Sequence, residues 1–531
     1  MICIPFLPAR RTDRAEKPPP CPPEGTRNQH GIQPRMARDM RRVQDQVGSY
    51  AVLQGGDQPH DLSPPPRTFA DRIDRFFHIT ARGSDFKTEF RAGLVLFTTM
   101  CYIIVVNPDI LSAAKLDKTA VASSTALCAC VGSIVMGLFA NLPFGTAPGM
   151  GLNTYFAYEL VVQEHFTASQ ALAICMAAGG IFLFLGLTGL SNILVNNIPL
   201  SMKKAIVVGI GMFQTIVGLY SLGFIEPGTY TVLQLGSNIG TTDQLMGLFT
   251  ILLISLLMLL EAPGSILIGI IASVGISLSA GFAPLPKAFV GAPDLELPTL
   301  DYSVLQTGKG WISVFFIFLV AFIDVGGVVL GIAAQSKELI NEHGDVLGAQ
   351  RAFITVGAGI CMSSFCGTSP MIIFLESAAA VQQGGRTGFG AVLAGALFGL
   401  SMFFVPALSA VPRSATAPVL VLVGSFMMGA VMAIPWEKIN HSLPAFITVC
   451  MITFTCSISY GLIAGLAFYF ILNLPFVVAK IFNWRWLKKR LTIEEIIGTP
   501  IERQLEVERE IEAERQRTSV FMFKIDDQLL H

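Results

Sequence analysis

The stretch GTAPGMGLNTYFAYELVVQ, residues 145–163, decides the fold because GTSPMIIFLESAAAVQ, residues 367–382, repeats its opening pattern. In each stretch a Gly-Thr pair precedes a proline, which is Pro148 in the first and Pro370 in the second. A helix that opens at either proline is too short to cross a bilayer at 1.5 Å per residue. Two interrupted helices at corresponding places indicate a duplicated membrane unit with its binding site at the interruptions.

Around these two stretches the chain is a series of apolar segments. Hydrophobic residues make up 52% of the 531 residues and charged residues only 14%, whereas soluble domains carry roughly 25% charged residues. About fourteen segments approach the roughly 20 residues that a bilayer requires: 90–114, 119–140, 148–163, 169–190, 202–222, 243–260, 262–281, 311–334, 348–366, 370–382, 387–410, 415–434, 443–458 and 460–480. The sequence therefore predicts an all-α polytopic membrane protein.

The two short segments occupy the third place in each set of seven. An odd number of spans per unit makes the second copy enter from the opposite side, so we expect a 7+7 inverted repeat with half-helices at spans 3 and 10. Basic residues before the first span and after the last place both termini in the cytoplasm, and Lys203 and Lys204 fall in a connection on the same side. No secretory signal is visible at the start, and the expected location is the plasma membrane.

The two ends of the chain differ in composition from the membrane part. Residues 1–80 are rich in Pro, Arg, Asp and Gln and poor in aromatic residues, which predicts a disordered cytoplasmic tail. Residues 81–482 form the expected transmembrane transporter domain. Residues 483–531 carry charge on nearly every helical face, which predicts a solvated cytoplasmic tail.

Several classes of function find no support in the sequence. The net charge of −1 leaves no basic surface for nucleic acid. The ten cysteines are scattered, and Cys128 and Cys130 have no nearby partner pair, so we expect no disulfide framework, metal or cofactor. The sequence contains no G-x-x-x-x-G-K-[ST] phosphate-binding loop, so an ATP-driven pump is not expected. A membrane enzyme would need a nucleophile, a metal cluster or a phosphate site at a membrane face, and we predict that the chain is not an enzyme.

Two acids fall near the middle of predicted spans. Asp324 lies near the middle of residues 311–334, where a carboxylate costs about 2.5–3.5 kcal/mol. It therefore needs a function or a structural partner such as a helix end or a hydroxyl. If Pro370 begins a helix, Glu376 lies about 9 Å along it, near the bilayer midplane where a substrate would be held. The alternative is an acid that offsets its own helix dipole.

Asn153 follows Pro148 by five residues, which is close to the position of Glu376 in the other unit. Its amide offers a donor and an acceptor to a heterocycle, or a hydrogen bond to a neighbouring helix. Both interpretations stay open. Glu159 lies near the far end of the same short span, which favours an interfacial place over one in the pathway.

Proton coupling, if the transporter uses it, belongs to Asp324 and Glu376. Burial disfavours the charge of a carboxylate, so each acid can take up and release a proton. The histidines fall near span ends or in loops and are poor candidates for a relay inside the membrane: His78, His165 and His441.

At these residues the chain resembles the nucleobase:cation symporters, specifically the azaguanine-like adenine/guanine/hypoxanthine permeases of the xanthine/uracil permease superfamily. The resemblance runs from about Thr88 to Leu472. Its marks are TEFRAGLVLFTTMCYIIVVNPDILSAA (88–114), APGMGLNTYFAY (147–158), the Asp324 segment, GTSPMIIFLESAAAVQQGGRTG (367–388) and ALSAVPRSATAPVLVLVG (407–424). It implies a core domain from the first four spans of each repeat and a gate domain from the last three.

Carried onto matching positions, the resemblance assigns substrate and proton roles to Asp324 and Glu376 and a supporting substrate role to Asn153. It implies import of adenine, guanine or hypoxanthine by proton symport. Two stretches depart from the family pattern: residues 370–373 replace a hydroxyl-rich run, and Val325 and the glycine after it replace a Thr-Thr pair.

The expected partners are a purine nucleobase, a proton as the coupling ion, the lipid bilayer and, in a homodimer, a second copy of the chain. Two alternatives stay open. A sulfate-permease-like anion transporter shares the architecture, although two acids in the site and a short C-terminal tail count against it. A transport-inactive sensor would keep the fold and bind without flux.

Overall fold

The computed structural model describes residues 69–189, 199–228, 233–237, 239–260, 262, 264–282, 288–333, 336–340, 346–408 and 411–481, all of which belong to the unit Arg67–His531. The helices in chain order are α1 (Phe69–Phe77), α2 (Phe86–Met100), α3 (Ile103–Leu111), α4 (Lys118–Val135), α5 (Met150–Thr154), α6 (Ala168–Thr188), α7 (Leu200–Ser221), α8 (Thr242–Leu259), α9 (Ser265–Ser279), α10 (Gly308–Ala333), α11 (Ala349–Phe365), α12 (Ser377–Gln382), α13 (Gly388–Ser401), α14 (Val405–Leu408), α15 (Arg413–Met427), α16 (Ile439–Thr455) and α17 (Ile458–Ile481). Wider π turns continue α4 through Met136–Ala140 and α5 through Tyr155–Gln163. The strands are β1 (Thr146–Pro148), β2 (Ile225–Pro227), β3 (Leu233–Leu235) and β4 (Met371–Ile373).

The helices follow the apolar segments of the sequence, as the prediction of an all-α membrane protein requires. Within the described ranges, eight helical segments are long and apolar enough to cross a bilayer: Phe86–Ala114, Lys118–Ala140, Ala168–Thr188, Leu200–Ser221, Thr242–Leu259, Gly308–Ala333, Gly388–Leu408 and Arg413–Ala433. Three shorter apolar helices accompany them: Ser265–Ser279, Ile439–Thr455 and Ile458–Leu474.

Polar side chains define several helix starts. Asp117 accepts hydrogen bonds from the backbone N–H groups of the first turn of α4, at 2.8 and 2.9 Å. Thr167 and Gln170 form a reciprocal capping box at the start of α6, and Thr241 and Gln244 do the same for α8. These contacts satisfy backbone donors that no intrahelical acceptor reaches, and so fix where each apolar helix begins.

Packing sorts most of the helices into two groups. The core bundle contains α2–α6 and α10–α13, with α11 against α6 and α13 against α2 and α4. The gate bundle contains α7–α9 and α15–α17, with α7 against α15 and α16. The membership of the two bundles corresponds to the core and gate domains that the family resemblance implies.

The two Gly-Thr-x-Pro stretches, 145–148 and 367–370, meet inside the molecule. β1 pairs antiparallel with β4, with Pro148 opposite Met371, and Gly149 N donates to Pro370 O at 3.0 Å. The helices predicted to open at Pro148 and Pro370 are therefore wrong at their starts, because helix begins only at Met150 and Ser377. Residues before a proline avoid helical geometry and β-branched residues favour strands, so these segments extend and satisfy their backbone groups in each other.

The N-terminal boundary of the ordered part also differs from the prediction. Residues 69–77 form α1, Phe77 packs edge-to-face on Phe389 with ring centroids 5.8 Å apart, and Ile79 is fully buried. The last dozen residues of the predicted tail are therefore structured. The rest of the tail, 1–68, lies outside the described residues, as does 482–531.

Candidate functional site

A cavity of about 910 Å³ lies between the core bundle and the gate bundle. On the core side its wall comes from α2, α10, the β4–α12 segment and the Tyr102 link between α2 and α3. On the gate side it comes from α7, α9 and α15. A pocket between two packed bodies, lined mostly by apolar groups with a few polar ones, is the usual form of a small-molecule site.

Asp324 lies on α10 and lines this cavity. Among the described residues, none donates a hydrogen bond to its carboxylate or forms an ion pair with it. The helix end or hydroxyl that a purely structural carboxylate would require is thus not found in the described part of the chain. No contact among the described residues offsets the free-energy cost of placing this acid in a membrane span, which favours the functional interpretation.

Glu376 lines the same cavity from the segment between β4 and α12. Tyr102 donates its hydroxyl hydrogen to Glu376 Oε1 at 2.5 Å. The sequence prediction placed Glu376 about two turns into a helix, which is wrong: it directly precedes α12. Because residues 371–373 are extended, Glu376 sits at the exit of the strand crossing, where it faces the cavity.

Asn153 lies on α5, buried behind the strand crossing, and is not one of the cavity-lining residues. Ser369 donates to Asn153 Oδ1 at 2.5 Å and its hydroxyl also lies 3.2 Å from Asn107 Oδ1. Asn107 Nδ2 in turn donates to Thr125 and Thr368, at 2.8 and 2.9 Å. This buried network ties α3, α4, α5 and the approach to β4 together, so a direct substrate contact by Asn153 gains no support from its position.

Glu159 lies away from the cavity and joins the two bundles. It is 3% exposed, and its carboxylate accepts from Ser457 Oγ at 2.7 Å and from Ile458 N at 2.8 Å. The backbone N–H of Ser459 donates to it as well. Glu159 therefore caps α17 away from the cavity, and its place near the membrane interface stays a prediction.

The departures from the family pattern fall in the strand crossing itself and on α10. Met371 and Val325 are fully buried and do not line the cavity, so the changes there affect packing. A side chain on Gly359 or Gly132 would collide with Met371, which fills the space between α4 and α11. Ile372 and Ile373 do line the cavity, and there the lost hydroxyls make the wall apolar.

Two cavity residues escaped the sequence analysis, and one pair was misplaced. Tyr102 and Gln214 both line the cavity; Gln214 is the one amide on α7, which is the signal that could have indicated it. Lys203 and Lys204 were predicted in a connection. They lie near the start of α7 and contribute to the same wall, because the helix that begins at Leu200 includes both of them.

Comparison with known proteins gives a consistent result along most of the chain. The profile of the xanthine/uracil permeases, described as Permease family, matches residues 87–463. The chain is 33% identical to the guanine/hypoxanthine permease PbuG of Bacillus subtilis over 74% of its length and 92% of that protein. It is 33% identical to the adenine permease AdeQ of Escherichia coli over 79% of its length and 93% of that protein.

A solved structure shows the same fold at much lower identity. The transmembrane domain of the cyanobacterial bicarbonate transporter BicA superposes with a TM-score of 0.55 and 17% identity, over 71% of this chain and 97% of that one. The helical packing described above is therefore that of a known class of membrane transporter.

Proposed function

The chain belongs to the xanthine/uracil permease family, and from this premise we propose that it imports purine nucleobases together with protons. It is a multi-pass membrane transporter and not an enzyme, since its relatives are permeases. The names of two relatives, a guanine/hypoxanthine permease and an adenine permease, support a purine as the cargo. We place it in the plasma membrane with both termini in the cytoplasm, as the charge distribution favours.

One observation carries the proposal: two carboxyl groups, Asp324 and Glu376, face one cavity between the two bundles. A carboxylate accepts charge-assisted hydrogen bonds from the ring N–H groups that every purine nucleobase carries. Tyr102 holds Glu376 by its 2.5 Å hydrogen bond, so we assign the substrate contact to Glu376. Asp324 has no such partner among the described residues, and we assign proton uptake to it.

Asn153 is buried next to the strand crossing and does not line the cavity, so we propose an indirect role for it. Its hydrogen bond to Ser369 fixes the approach to β4, from which Glu376 emerges. We propose that Asn153 positions the strand crossing and acts on the substrate through Glu376. Precise placement of the groups that contact a ligand depends on such supporting hydrogen bonds.

The proposed architecture has fourteen spans in two inverted units of seven, with spans 3 and 10 interrupted at the strand crossing. The pairing of β1 with β4 supports it. When the two motifs are aligned, Pro148 corresponds to Pro370 and Gly149 corresponds to Met371. The Pro148–Met371 pair therefore corresponds to a Pro370–Gly149 pair, and both pairs occur. Such a ladder is expected when two copies of one unit meet around a two-fold axis in the membrane plane.

Transport requires the cavity to open alternately to the two sides. At one end Asp109 of the core bundle accepts from Thr416 of α15 at 2.7 Å and lies 3.8 Å from Arg413, and Glu159 caps α17. Lys203 and Lys204 line the cavity toward the other end. We propose that the bundles are closed at the outer end and open toward the cytoplasm, and that rocking of the gate bundle reverses this.

An uptake panel separates this function from the alternatives. Cells without their own nucleobase transporters, expressing the chain, are given labelled adenine, guanine, hypoxanthine, xanthine and uracil, and in parallel sulfate and bicarbonate. We expect saturable uptake of at least one purine and none of the anions. Anion uptake without purine uptake would establish the anion transporter instead, and binding without uptake would establish the sensor.

A further inference from the structure

Gln214 is a second kind of polar group in the cavity wall. It lies on α7 of the gate bundle, opposite the carboxylates of the core bundle, and its side chain is fully buried. Neither its amide nitrogen nor its amide oxygen has a hydrogen-bond partner in the described part of the chain. A buried amide with both groups unpaired lowers the stability of the fold, because it gives up hydrogen bonds to water without replacing them.

A glycine of the core bundle lies beside the amide. Gly151 of α5 lines the same cavity, and a side-chain carbon there would lie 3.9 Å from Gln214 Nε2 and 2.8 Å from Ile210. The missing side chain lets α7 approach α5 and leaves the amide beside bare backbone. Gln214 thus belongs to the wall of the same cavity as Asp324 and Glu376, and its amide is packed beside the backbone of α5.

We propose that Gln214 contacts the transported nucleobase from the gate side through a paired donor and acceptor, so that the substrate bridges the two bundles. The inference rests on the proposed function. Purine edges present such a pair, with N1–H beside O6 in hypoxanthine and N1 beside N6–H in adenine. Rotation of the amide by half a turn exchanges its donor and acceptor, so one glutamine serves both edges.

This role explains why an unpaired amide is kept in an apolar helix. A substrate satisfies groups that nothing else reaches, so its binding recovers the free energy that the empty cavity loses. Contact with both bundles also couples occupancy of the site to the relative position of core and gate. The acids alone, both on the core bundle, do not provide that coupling.

Gln214→Met tests the inference because methionine has nearly the same shape and no amide. For purified protein we expect the hypoxanthine or adenine concentration that gives half-maximal thermal stabilisation to rise by about tenfold or more. The unfolding temperature without ligand should stay the same or rise, since an apolar group replaces an unpaired polar one. If the amide were structural, its loss in Gln214→Met would instead lower the unfolding temperature of the ligand-free protein.

Two further variants complete the experiment. Thr215→Val is the matched control: Thr215 is the next residue of α7 and does not line the cavity, and within the described residues its hydroxyl donates to Gly211 O of its own helix at 2.9 Å. Its affinity should stay within about twofold of wild type. If Gln214→Met does not fold, Gln214→Asn, which withdraws the same amide by one methylene, must show weaker binding with unchanged ligand-free stability.

The outcomes are distinguishable. A wild type that is stabilised by neither purine overturns the proposed function and this inference with it. A wild type that responds, with Gln214→Met at wild-type affinity, overturns only the role of Gln214. Loss of affinity together with a lower ligand-free unfolding temperature also overturns it, since the amide would then be structural.

Discussion

At the scale of single residues, the two cavity acids differ in what holds them. Tyr102 fixes Glu376, whereas Asp324 has no hydrogen-bond or ion-pair partner within the residues that the structure describes. A fixed carboxylate suits the recognition of a ring N–H, and an unheld one suits a group whose charge changes during the cycle. This contrast supports the two roles that we propose.

Glu376→Gln should weaken purine binding by roughly tenfold or more, because the amide replaces a charged acceptor. Equilibrium binding of labelled hypoxanthine to purified protein measures this. Glu159→Gln is the control, since Glu159 is also a buried acid but caps α17 away from the cavity. It should lower the unfolding temperature and leave purine affinity unchanged; equal affinity losses in both variants would refute the assignment.

Asp324→Asn should bind purine and lose the ability to concentrate it. A proton symporter takes up substrate faster as external pH falls, because protons then load from outside more readily, and an amide cannot carry the proton. Uptake against external pH, with and without a protonophore and at matched surface abundance, should show a flat profile in the variant. An unchanged profile would move the proton role to Glu376.

The sequence was sufficient to find the acids and insufficient to find their geometry. Asp324 and Glu376 stand out because charge inside an apolar span is expensive. The distance of Glu376 along a helix was mistaken, since it depends on whether residues 371–373 are helical or extended. Gln214 escaped notice because a neutral amide on an apolar helix disturbs the hydropathy little, and only its cavity position distinguishes it.

At the scale of elements, the strand crossing holds the site. Ser369 reaches Asn153 and Asn107 with one hydroxyl and so links β4 to α5 and α3. The sequence marked both crossing stretches by their shared Gly-Thr-x-Pro pattern. Their extended form was not predicted, because a strand of three residues is stabilised by a partner that lies more than two hundred residues away in the chain.

Ser369→Ala should destabilise the protein by about 1–3 kcal/mol, because it leaves the buried amide oxygen of Asn153 without its donor. The unfolding temperature of the purified protein should fall and purine affinity should weaken with it. Ser364→Ala is the matched control, since Ser364 is equally buried but bonds to Ile360 O of its own helix. If both variants unfold at the same temperature, the crossing does not depend on this hydroxyl.

At the scale of the whole molecule, hydropathy located the helices well. A membrane helix follows a continuous run of apolar residues, so its approximate limits can be read from the local sequence. The division into core and gate bundles is a long-range property. It came from the family resemblance and not from the residues themselves, and the packing of α11 on α6 and α15 on α7 follows the same division.

Removal of residues 1–66 should leave transport intact, since this segment lacks the apolar content to pack on the membrane domain. Removal through residue 82 should not be tolerated. It deletes α1 and Arg82, whose guanidinium donates to Asn141 O at 2.7 Å and to Arg386 O at 3.0 Å. Surface abundance and hypoxanthine uptake of the two truncations, side by side, check the boundary; an inactive shorter truncation would show that the tail is required.

The most direct test of the account is proton movement driven by purine. Purified protein is reconstituted into vesicles that contain a pH-sensitive dye, without any imposed pH gradient, and hypoxanthine or adenine is added outside. The account predicts acidification of the vesicle interior that depends on purine, is abolished in Asp324→Asn and is absent from vesicles without protein. Purine entry without acidification would contradict it.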